Sequence, residues 1–223
     1  MRCMIRLSTY KRNPSVGVFA LANDRMAFVP AFAHESFTRD IGEALEVEVF
    51  ATDVADMSLL GAMMALNNNG ILLPRNTTER ELSFFKGLDA KVGVIDDKHT
   101  ALGNLVLAND KGAVLSTLFS KEATKEISDV LDVEVEAMDL QGYRTVGSIG
   151  VATSKGVLMH ASLGEDDLRQ VEKLLKVGVD IGTVNRGIGY IRTGLVANSK
   201  GAVIGKLTTS PEISRIEEAL ALL

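Results

Sequence analysis

One cysteine and three histidines are the side chains of this sequence best suited to act as nucleophile or base. Nucleophilic catalysis needs a thiolate within hydrogen-bond reach of a base that a third group orients. Cys3 lies in an apolar segment near the N-terminus. The histidines share no motif and lie 65 and 61 residues apart, at His34, His99 and His160. We therefore expect Cys3 to be a packed core thiol and the histidines to have surface or capping roles.

The segment IDDKHT, residues 95–100, places Asp96, Asp97 and His99 close together in sequence. Carboxylates and an imidazole could hold a metal ion if this segment folded tightly. It lies between two copies of an internal repeat, so we interpret it as a solvated loop. The sequence has neither a CxxC nor an HExxH spacing. We expect no metal, no cofactor and no catalytic residue.

The composition is that of a globular protein. The chain has 223 residues, 46% of them hydrophobic, which is enough to bury a sizeable core. It contains neither an apolar run of about 18 residues nor a signal-peptide pattern, so we expect a cytoplasmic protein. The formal net charge is -5. Such a chain is repelled on average by phosphate backbones, so a partner that contains nucleic acid must be contacted locally or through a basic protein.

An internal repeat organises the whole chain. Near-copies of ALGNLVLANDKG, residues 101–112, recur as VGVFALANDR, LGAMMALNNNG, VGSIGVATSKG and IRTGLVANSKG. One turn residue in each copy serves as a marker, and successive markers are 44, 42, 44 and 45 residues apart: Asn23, Asn67, Asn109, Thr153 and Asn198. Six residues before the first four markers stands a glycine, whereas the fifth copy has Arg192. Such a period is typical of a solenoid, a propeller or a closed ring.

Each copy continues with a second strand, a helix and a third strand. The second strand begins at a glycine in sequences such as GILLP, and we expect these glycines to supply the positive φ of a hairpin. Helix starts are predicted at Ser120, Ser162 and Ser210, the last followed by Pro211. Third strands are predicted at residues 47–49, 92–94, 133–135 and 177–179.

The chain ends suggest how the repeat closes. The fifth copy stops at its helix, whereas an unassigned apolar strand, residues 2–7, precedes the first copy. An open array would leave two sheet edges exposed, so we predict that this strand completes the last unit and closes a ring. The expected fold is α/β, a single domain of five ββαβ units around a pseudo-fivefold axis, with repeats at about 11–55, 56–98, 99–142, 143–187 and 188–223. It resembles the pentein fold (an α/β propeller), which includes arginine-modifying enzymes and non-enzymes.

Local departures from the repeat indicate a recognition surface. The sequences LPRNTTERE, residues 73–81, LGN, residues 102–104, and GTVNRG, residues 182–187, place amides, hydroxyls and arginines where other copies have different residues. Turn formation accounts for some of them. Taken together, they are more typical of binding than of catalysis.

The segments ALGN, LPRNTT, DVLDVEV and GTVNRG together resemble the translation initiation factor 6 family, the ribosome anti-association factors of archaea and eukaryotes. The resemblance runs in register along the whole chain. It implies a protein that binds the large ribosomal subunit on its intersubunit side and prevents premature joining of the small subunit. The implied partner is the carboxy-terminal segment of a ribosomal protein near the sarcin-ricin loop, with limited contact to ribosomal RNA, and the implied state is a monomer.

The resemblance also implies which residues bind. Asn67 and Asn104 match docking positions, and we expect them on neighbouring units at one rim, with the Asn67 amide exposed. Arg75, Asn185 and Arg186 follow from motif membership. Ala62 stands where eukaryotic members usually carry arginine, and no regulatory tail follows the fifth helix, so the chain looks archaeal. A pentein-type arginine-modifying enzyme and an unrelated protein-binding ring remain as alternatives.

Overall fold

The structure, a computed structural model, describes residues 4–222. Within these residues the chain forms five three-stranded sheets. In the first four units the first strand pairs antiparallel with the second, and the third pairs parallel with the second. The α/β fold of five ββαβ units, of pentein type, is thus confirmed. The expectation for Cys3 lies outside the described residues and stays a prediction, and so do the domain limits.

The helices and strands follow one another in the same order in each unit, except that the fourth unit has no one-turn helix before its first strand and the third strand of the fifth sheet is β1. The first unit, with the strand that precedes it, contains β1 (Met4–Ser8), α1 (Val16–Phe19), β2 (Leu21–Ala22), β3 (Met26–Pro30), α2 (Glu35–Leu45) and β4 (Glu48–Thr52). The second unit contains α3 (Leu60–Met63), β5 (Ala65–Leu66), β6 (Gly70–Pro74), α4 (Glu79–Lys86) and β7 (Lys91–Ile95). The third unit contains α5 (Leu102–Leu105), β8 (Val106–Ala108), β9 (Gly112–Leu115), α6 (Lys121–Leu131) and β10 (Glu134–Ala137). The last two units contain β11 (Gly150–Ala152), β12 (Val157–His160), α7 (Glu165–Leu175), β13 (Val179–Gly182), α8 (Ile191–Gly194), β14 (Leu195–Ala197), β15 (Gly201–Gly205) and α9 (Ser210–Ala219). Among the described residues, no helix is long and apolar enough to span a membrane.

The N-terminal strand completes the fifth sheet. Strand β1 pairs parallel with β15, with Ile5 opposite Ala202, and so takes the place that the third strand has in the other units. The side chains of Val196 and Val203, from the fifth unit, pack in one cluster with Ile41 of the first unit. These contacts between the first and last units are consistent with a closed ring, which removes the sheet edges that an open array would expose.

The hydrophobic cores lie between successive units. Helix α6 buries the apolar stripe predicted from its spacing, Ile127, Val130 and Leu131, against Leu72 of the second unit as well as Leu115 of its own. Each unit therefore cannot bury its apolar face alone, which is the physical reason why the repeat needs neighbours on both sides.

Two of the three predicted helix starts need correction. Ser120 caps α6 as expected, because its Oγ accepts a hydrogen bond from Ala123 N at 3.1 Å. Ser162 does not cap α7, whose N-cap is Gly164; the Oγ of Ser162 lies 2.8 Å from Nδ1 of His160, and its backbone N–H donates to the same nitrogen. Helix α9 begins at Ser210, and its capping residue is Thr209.

The third strand of the second unit, β7, contains the predicted residues 92–94, whereas β4, β10 and β13 begin one or two residues later than predicted. The reason is visible at Val133, which follows the left-handed Asp132 at the end of α6. Its N–H donates to Ser128 O at 3.4 Å, so pairing with β9 begins only at Glu134.

The glycines that open the second strands do not have the positive φ that we expected. Among the described residues, the glycines with positive φ are Gly142 and Gly187. A Cβ on Gly70 would lie 2.2 Å from Val130 O, and one on Gly112 would lie 2.3 Å from Leu174 O. Glycine is required there because the helix of the next unit approaches the strand too closely for any side chain.

The glycines six residues before the markers bring successive units together near the axis. A Cβ on Gly61 would lie 1.9 Å from Gly17 O, and one on Gly103 would lie 2.1 Å from Gly61 O. The fifth unit differs, because Arg192 directs its Nε–H to Gly147 O at 2.8 Å. Burial lowers the pKa of Arg192 to about 10.

Candidate binding face

The strand directions define two ends of the molecule. The first strand of each unit leads to a marker turn and the second returns, so the five markers and the residues that follow them lie at one end, which we call the turn face. The opposite end, the loop face, consists of the segments after each third strand, residues 9–15, 53–59, 96–101, 138–145 and 183–190, and those before each long helix, residues 31–34, 75–78, 116–120, 161–164 and 206–209.

The turn face is held by a chain of side-chain amides. The Nδ2 of Asn23 donates to Asn67 O at 2.8 Å, and the same bond runs from Asn67 to Asn109 O at 3.1 Å and from Asn109 to Thr153 O at 3.1 Å. Asn198 donates to Asn23 O at 3.1 Å, which links the last unit to the first. Each asparagine marker therefore joins its unit to the neighbouring one, whereas the Thr153 hydroxyl bonds only within its own turn.

The expectation that Asn67 presents an exposed amide is wrong. Its side chain is 4% exposed, and its Oδ1 accepts hydrogen bonds from Asn69 N and Gly70 N. Its Nδ2 also donates to Leu131 O at the end of α6. All hydrogen-bonding groups of this amide are used inside the turn face.

Asn104 lies at the other end of the inner strands. It belongs to the one-turn helix α5, and strand β8 separates it from the marker Asn109. Three strand residues span about 10 Å, so Asn104 and Asn67 do not share a rim. The backbone oxygen of Asn104 accepts from Gly147 N at 3.0 Å. Its side chain is partly buried and has no hydrogen bond within the described part of the chain.

Arg75 is exposed on the loop face, directly after β6. It borders an open depression with Asp96, Asp97 and Phe119. Asp97 itself is buried: its carboxylate accepts from His99 N at 2.9 Å and Ser120 N at 3.1 Å. Burial raises the pKa of Asp97, but these hydrogen bonds outweigh that effect and lower it. The IDDKHT segment is therefore partly a structural turn rather than a solvated loop, and no metal-binding group of acidic residues, cysteine or histidine occurs within residues 4–222.

The two remaining predicted site residues have different roles. Asn185 is 9% exposed, and its Nδ2 donates to Pro14 O at 3.0 Å, which ties the fifth unit to the segment before the first. Arg186 is exposed and has a left-handed backbone with φ 66. Asn185 is therefore a structural link, whereas Arg186 offers its side chain to solvent.

Two buried glutamates hold the loop-face turns, and sequence analysis missed both. Glu212 accepts from Gly187 N at 2.8 Å and from Arg186 N at 3.2 Å, and Glu81 accepts from Ala55 N and Asp56 N. Burial raises the pKa of Glu212, but hydrogen bonds from Thr209, Gly187 and Thr183 lower it to about 2. The Thr-x-x-Glu spacings at 78–81 and 209–212 are capping boxes that could have revealed both glutamates.

His34 has the expected capping role at the start of α2, whereas His160 stabilises the turn that follows β12. His34 Nδ1 accepts from Ser36 N at the start of α2, and His160 Nδ1 accepts from Ser162 N. Burial lowers the pKa of His160, which keeps this ring neutral near pH 7 and suits it as an acceptor.

The exposed large apolar side chains of the described residues all belong to the loop face or to the strand end that leads into it: Leu7, Phe32, Met57, Leu59, Ile188, Tyr190 and Leu207. Phe32 is the most exposed of them, at 86%. Apolar side chains gathered on one end of a protein mark a surface that contacts another macromolecule.

The fold and this face define a pentein-type protein with a candidate macromolecular interface at one end of its axis. A sequence profile of the eIF-6 family matches residues 5–219, so the chain belongs to the eIF-6 family. It is 40% identical over 220 residues to "Translation initiation factor 6" of Pyrococcus abyssi, which covers 96% of this chain and 97% of that relative. The relative of the same name from Methanocaldococcus jannaschii is 39% identical over 217 residues, with 94% and 95% covered.

A solved structure of a dimethylarginine dimethylaminohydrolase variant is similar to this chain with a TM-score of 0.47 and 13% sequence identity. The likeness covers 93% of this chain and 74% of that one. A similarity this low does not indicate a shared activity.

Proposed function

We propose that this protein binds the large ribosomal subunit through its loop face and sterically prevents premature joining of the small subunit. The observation that carries the proposal is the concentration of exposed apolar side chains, among them Phe32 and Tyr190, on the loop face. The name "Translation initiation factor 6" of its archaeal relatives supports a role in translation. Binding alone is sufficient for this function, because a bulky protein on the intersubunit side excludes the other subunit.

The proposed partner is a ribosomal protein segment near the sarcin-ricin loop, with limited contact to ribosomal RNA. A chain of net charge -5 suits a basic protein segment better than a broad phosphate surface. The protein acts in the cytoplasm as a monomer in this proposal.

Three of the five predicted binding residues can act directly. Arg75 and Arg186 on the loop face, and Asn104 in the one-turn helix α5 that follows residues 96–101, have side chains with some exposure. They form no ion pair within residues 4–222. Asn67 and Asn185 enter the proposal only as residues that hold a turn and a loop in place.

The alternatives differ in what they require. A pentein-type arginine-modifying enzyme needs a nucleophilic cysteine late in the chain, and the single cysteine of this sequence is Cys3. Turnover of arginine derivatives would favour this alternative. An unrelated protein-binding ring would not cosediment with large subunits and would capture another partner.

Replacement of Asn104 by glutamate tests the proposal. A carboxylate placed at the docking surface would be left unpaired, so Asn104→Glu should weaken cosedimentation with purified large subunits by about tenfold or more. Because no catalytic step separates binding from exclusion, subunit joining should recover in proportion. Normal binding with lost anti-association activity would show that exclusion by bulk is wrong.

Ser154→Glu is the matched control. Ser154 follows the marker Thr153 on the turn face, and the change adds the same side chain and the same charge. We expect this variant to bind large subunits like the unmodified protein. Thermal unfolding of both variants checks folding, and a large loss of stability in Asn104→Glu would identify Asn104 as a structural turn residue.

A further inference from the structure

The boundary between the fourth and fifth units differs from the others near the axis. In the first four units a glycine stands six residues before the marker, and each of these glycines lies so close to the backbone of an adjacent unit that a Cβ would collide with it. In the fifth unit Arg192 occupies this position. The boundary between the fourth and fifth units therefore has room for a long side chain, and that side chain carries a charge.

Most of the hydrogen-bonding capacity of Arg192 is unused within residues 4–222. Its Nε–H donates to Gly147 O at 2.8 Å, whereas its two terminal nitrogens donate to no atom of these residues, and the side chain forms no ion pair with them. Although burial lowers the pKa of Arg192 to about 10, the guanidinium is still charged at pH 7. A buried charge without a partner is costly, so this one needs a counter-charge or water.

Arg192 lines a cavity at the centre of the ring. The first strands of all five units contribute to its wall, with Ala22, Leu66, Ala108, Ala152 and Ala197, and no carboxylate of the described residues lines it. Among these residues, every side-chain nitrogen or oxygen that solvent cannot reach has a hydrogen-bond partner, so the terminal nitrogens of Arg192 are accessible to a water-sized molecule. The volume is about 40 Å³. Because about 10 to 15 Å³ is enough for one water, the cavity can also hold a monatomic anion.

The cavity continues into the depression at the centre of the turn face. The same five wall residues line both spaces, so this end offers a route for an ion. Asp24 and Asp110 line the depression, but their Oδ2 atoms accept hydrogen bonds from Asn68 Nδ2 at 3.0 and 2.7 Å. These carboxylates are thus held at the turn face and do not pair with the guanidinium.

We propose that the axial cavity binds a small inorganic anion such as chloride, which accepts hydrogen bonds from the terminal nitrogens of Arg192. Hydrogen bonds between charged partners are stronger than those to water, and the anion supplies the charge that the protein itself does not. A cavity of this volume is too small for a nucleotide. Since Arg192 also holds Gly147 O, the bound anion would stabilise the contact between the fourth and fifth units. The site lies inside the ring, so the inference does not depend on ribosome binding.

Thermal unfolding at constant ionic strength tests the site. Potassium chloride replaces potassium gluconate in steps, because gluconate is too large for the cavity. Chloride at about five times its dissociation constant should raise the melting temperature by about 2 to 4 °C, and the increase should saturate. In Arg192→Met, which has an apolar side chain without a charge, the saturable increase should be absent. A saturable increase of the same size in this variant would overturn the proposal.

Arg80→Met is the matched control. Arg80 is exposed on α4 and forms no ion pair within residues 4–222, so the same substitution removes the same charge from the surface. This variant should keep the full chloride-dependent increase. Its loss here as well would attribute the effect to the net charge of the protein and would contradict a site at Arg192.

Bromide gives a direct measurement on the unmodified protein, which is needed if Arg192→Met does not fold. Bromide replaces chloride in most anion sites and scatters X-rays anomalously. Crystals soaked in sodium bromide should show an anomalous peak in the axial cavity, within hydrogen-bond distance of the Arg192 guanidinium. Water alone at this place would overturn the inference.

Discussion

The turn face and the loop face are built from the same repeat but have opposite properties. On the turn face, Asn23, Asn67, Asn109 and Asn198 repeat one hydrogen-bonding pattern, and each side-chain amide is buried. On the loop face, the segments after the third strands differ in sequence from unit to unit and expose apolar and charged side chains.

This difference shows that the repeated contacts between units and the exposed surface have different physical requirements. A repeated interaction between units stabilises the ring, and its polar groups must be satisfied because they are buried. A binding surface must match an asymmetric partner, so it needs residues that depart from the repeat. The asparagine at Asn67 recurs at the same position in other units and is used to join them. The asparagine at Asn104 does not recur in the other units, so of these two side chains only that of Asn104 is available to a partner.

Gly112→Ala, at the turn-face end of β9, should cause the largest loss of stability. The new Cβ would lie 2.3 Å from Leu174 O, which is backbone and cannot move without shifting α7. We expect the free energy of unfolding to fall by about 3 kcal/mol or more. Chemical denaturation measures the change.

Gly178→Ala provides the control for this substitution. A Cβ on Gly178 would meet no atom within 4 Å, and its φ is not in the left-handed region. Its stability should change by less than about 0.5 kcal/mol. A similar loss in both variants would show that the close packing of units at the turn-face end is not what requires glycine at position 112.

The ionisation of Glu212 should make the stability of the loop face depend on pH. Its pKa in the folded protein is about 2, below the usual 4.5, so its stabilising contribution is present above about pH 4.5 and is lost as the pH falls towards 2. At pH 7, Glu212→Gln should lower the free energy of unfolding by about 3 kcal/mol. The difference between variant and unmodified protein should shrink as the pH falls through this window. A difference that is constant with pH would contradict an ionised, hydrogen-bonded Glu212.

Thr153→Asn should extend the chain of side-chain amides on the turn face to the fourth unit. The Thr153 hydroxyl closes its own turn through Lys155 N and Gly156 N, but it has no second polar group to reach the next unit. Asparagine there should donate to Asn198 O as Asn109 donates to Thr153 O, and we expect a gain of about 1 kcal/mol in the free energy of unfolding. Equal or lower stability would indicate that the fourth interface lacks the geometry of the others.

The candidate site could be predicted only in part. The departures from the repeat predicted Arg75, Asn104 and Arg186 as binding residues, and the structure gives all three side chains some exposure towards the same end of the molecule; their role in binding stays a prediction. They could not show that Asn185 is buried against Pro14, because that contact joins residues far apart in sequence. The exposed apolar side chains were also missed, since an apolar residue in a loop looks the same in sequence whether it is buried or exposed.

The sequence by itself determined the repeat, its period and the order of strands and helix within each unit. These features depend on local spacing of apolar residues, turns and caps, which neighbouring residues specify. Only the tertiary structure decided why the second strands begin with glycine, where the five cores lie and which asparagines are free. Each of these depends on a contact between units, such as Gly112 against Leu174 or Asn67 against Leu131, and such contacts arise only when the units pack around the axis.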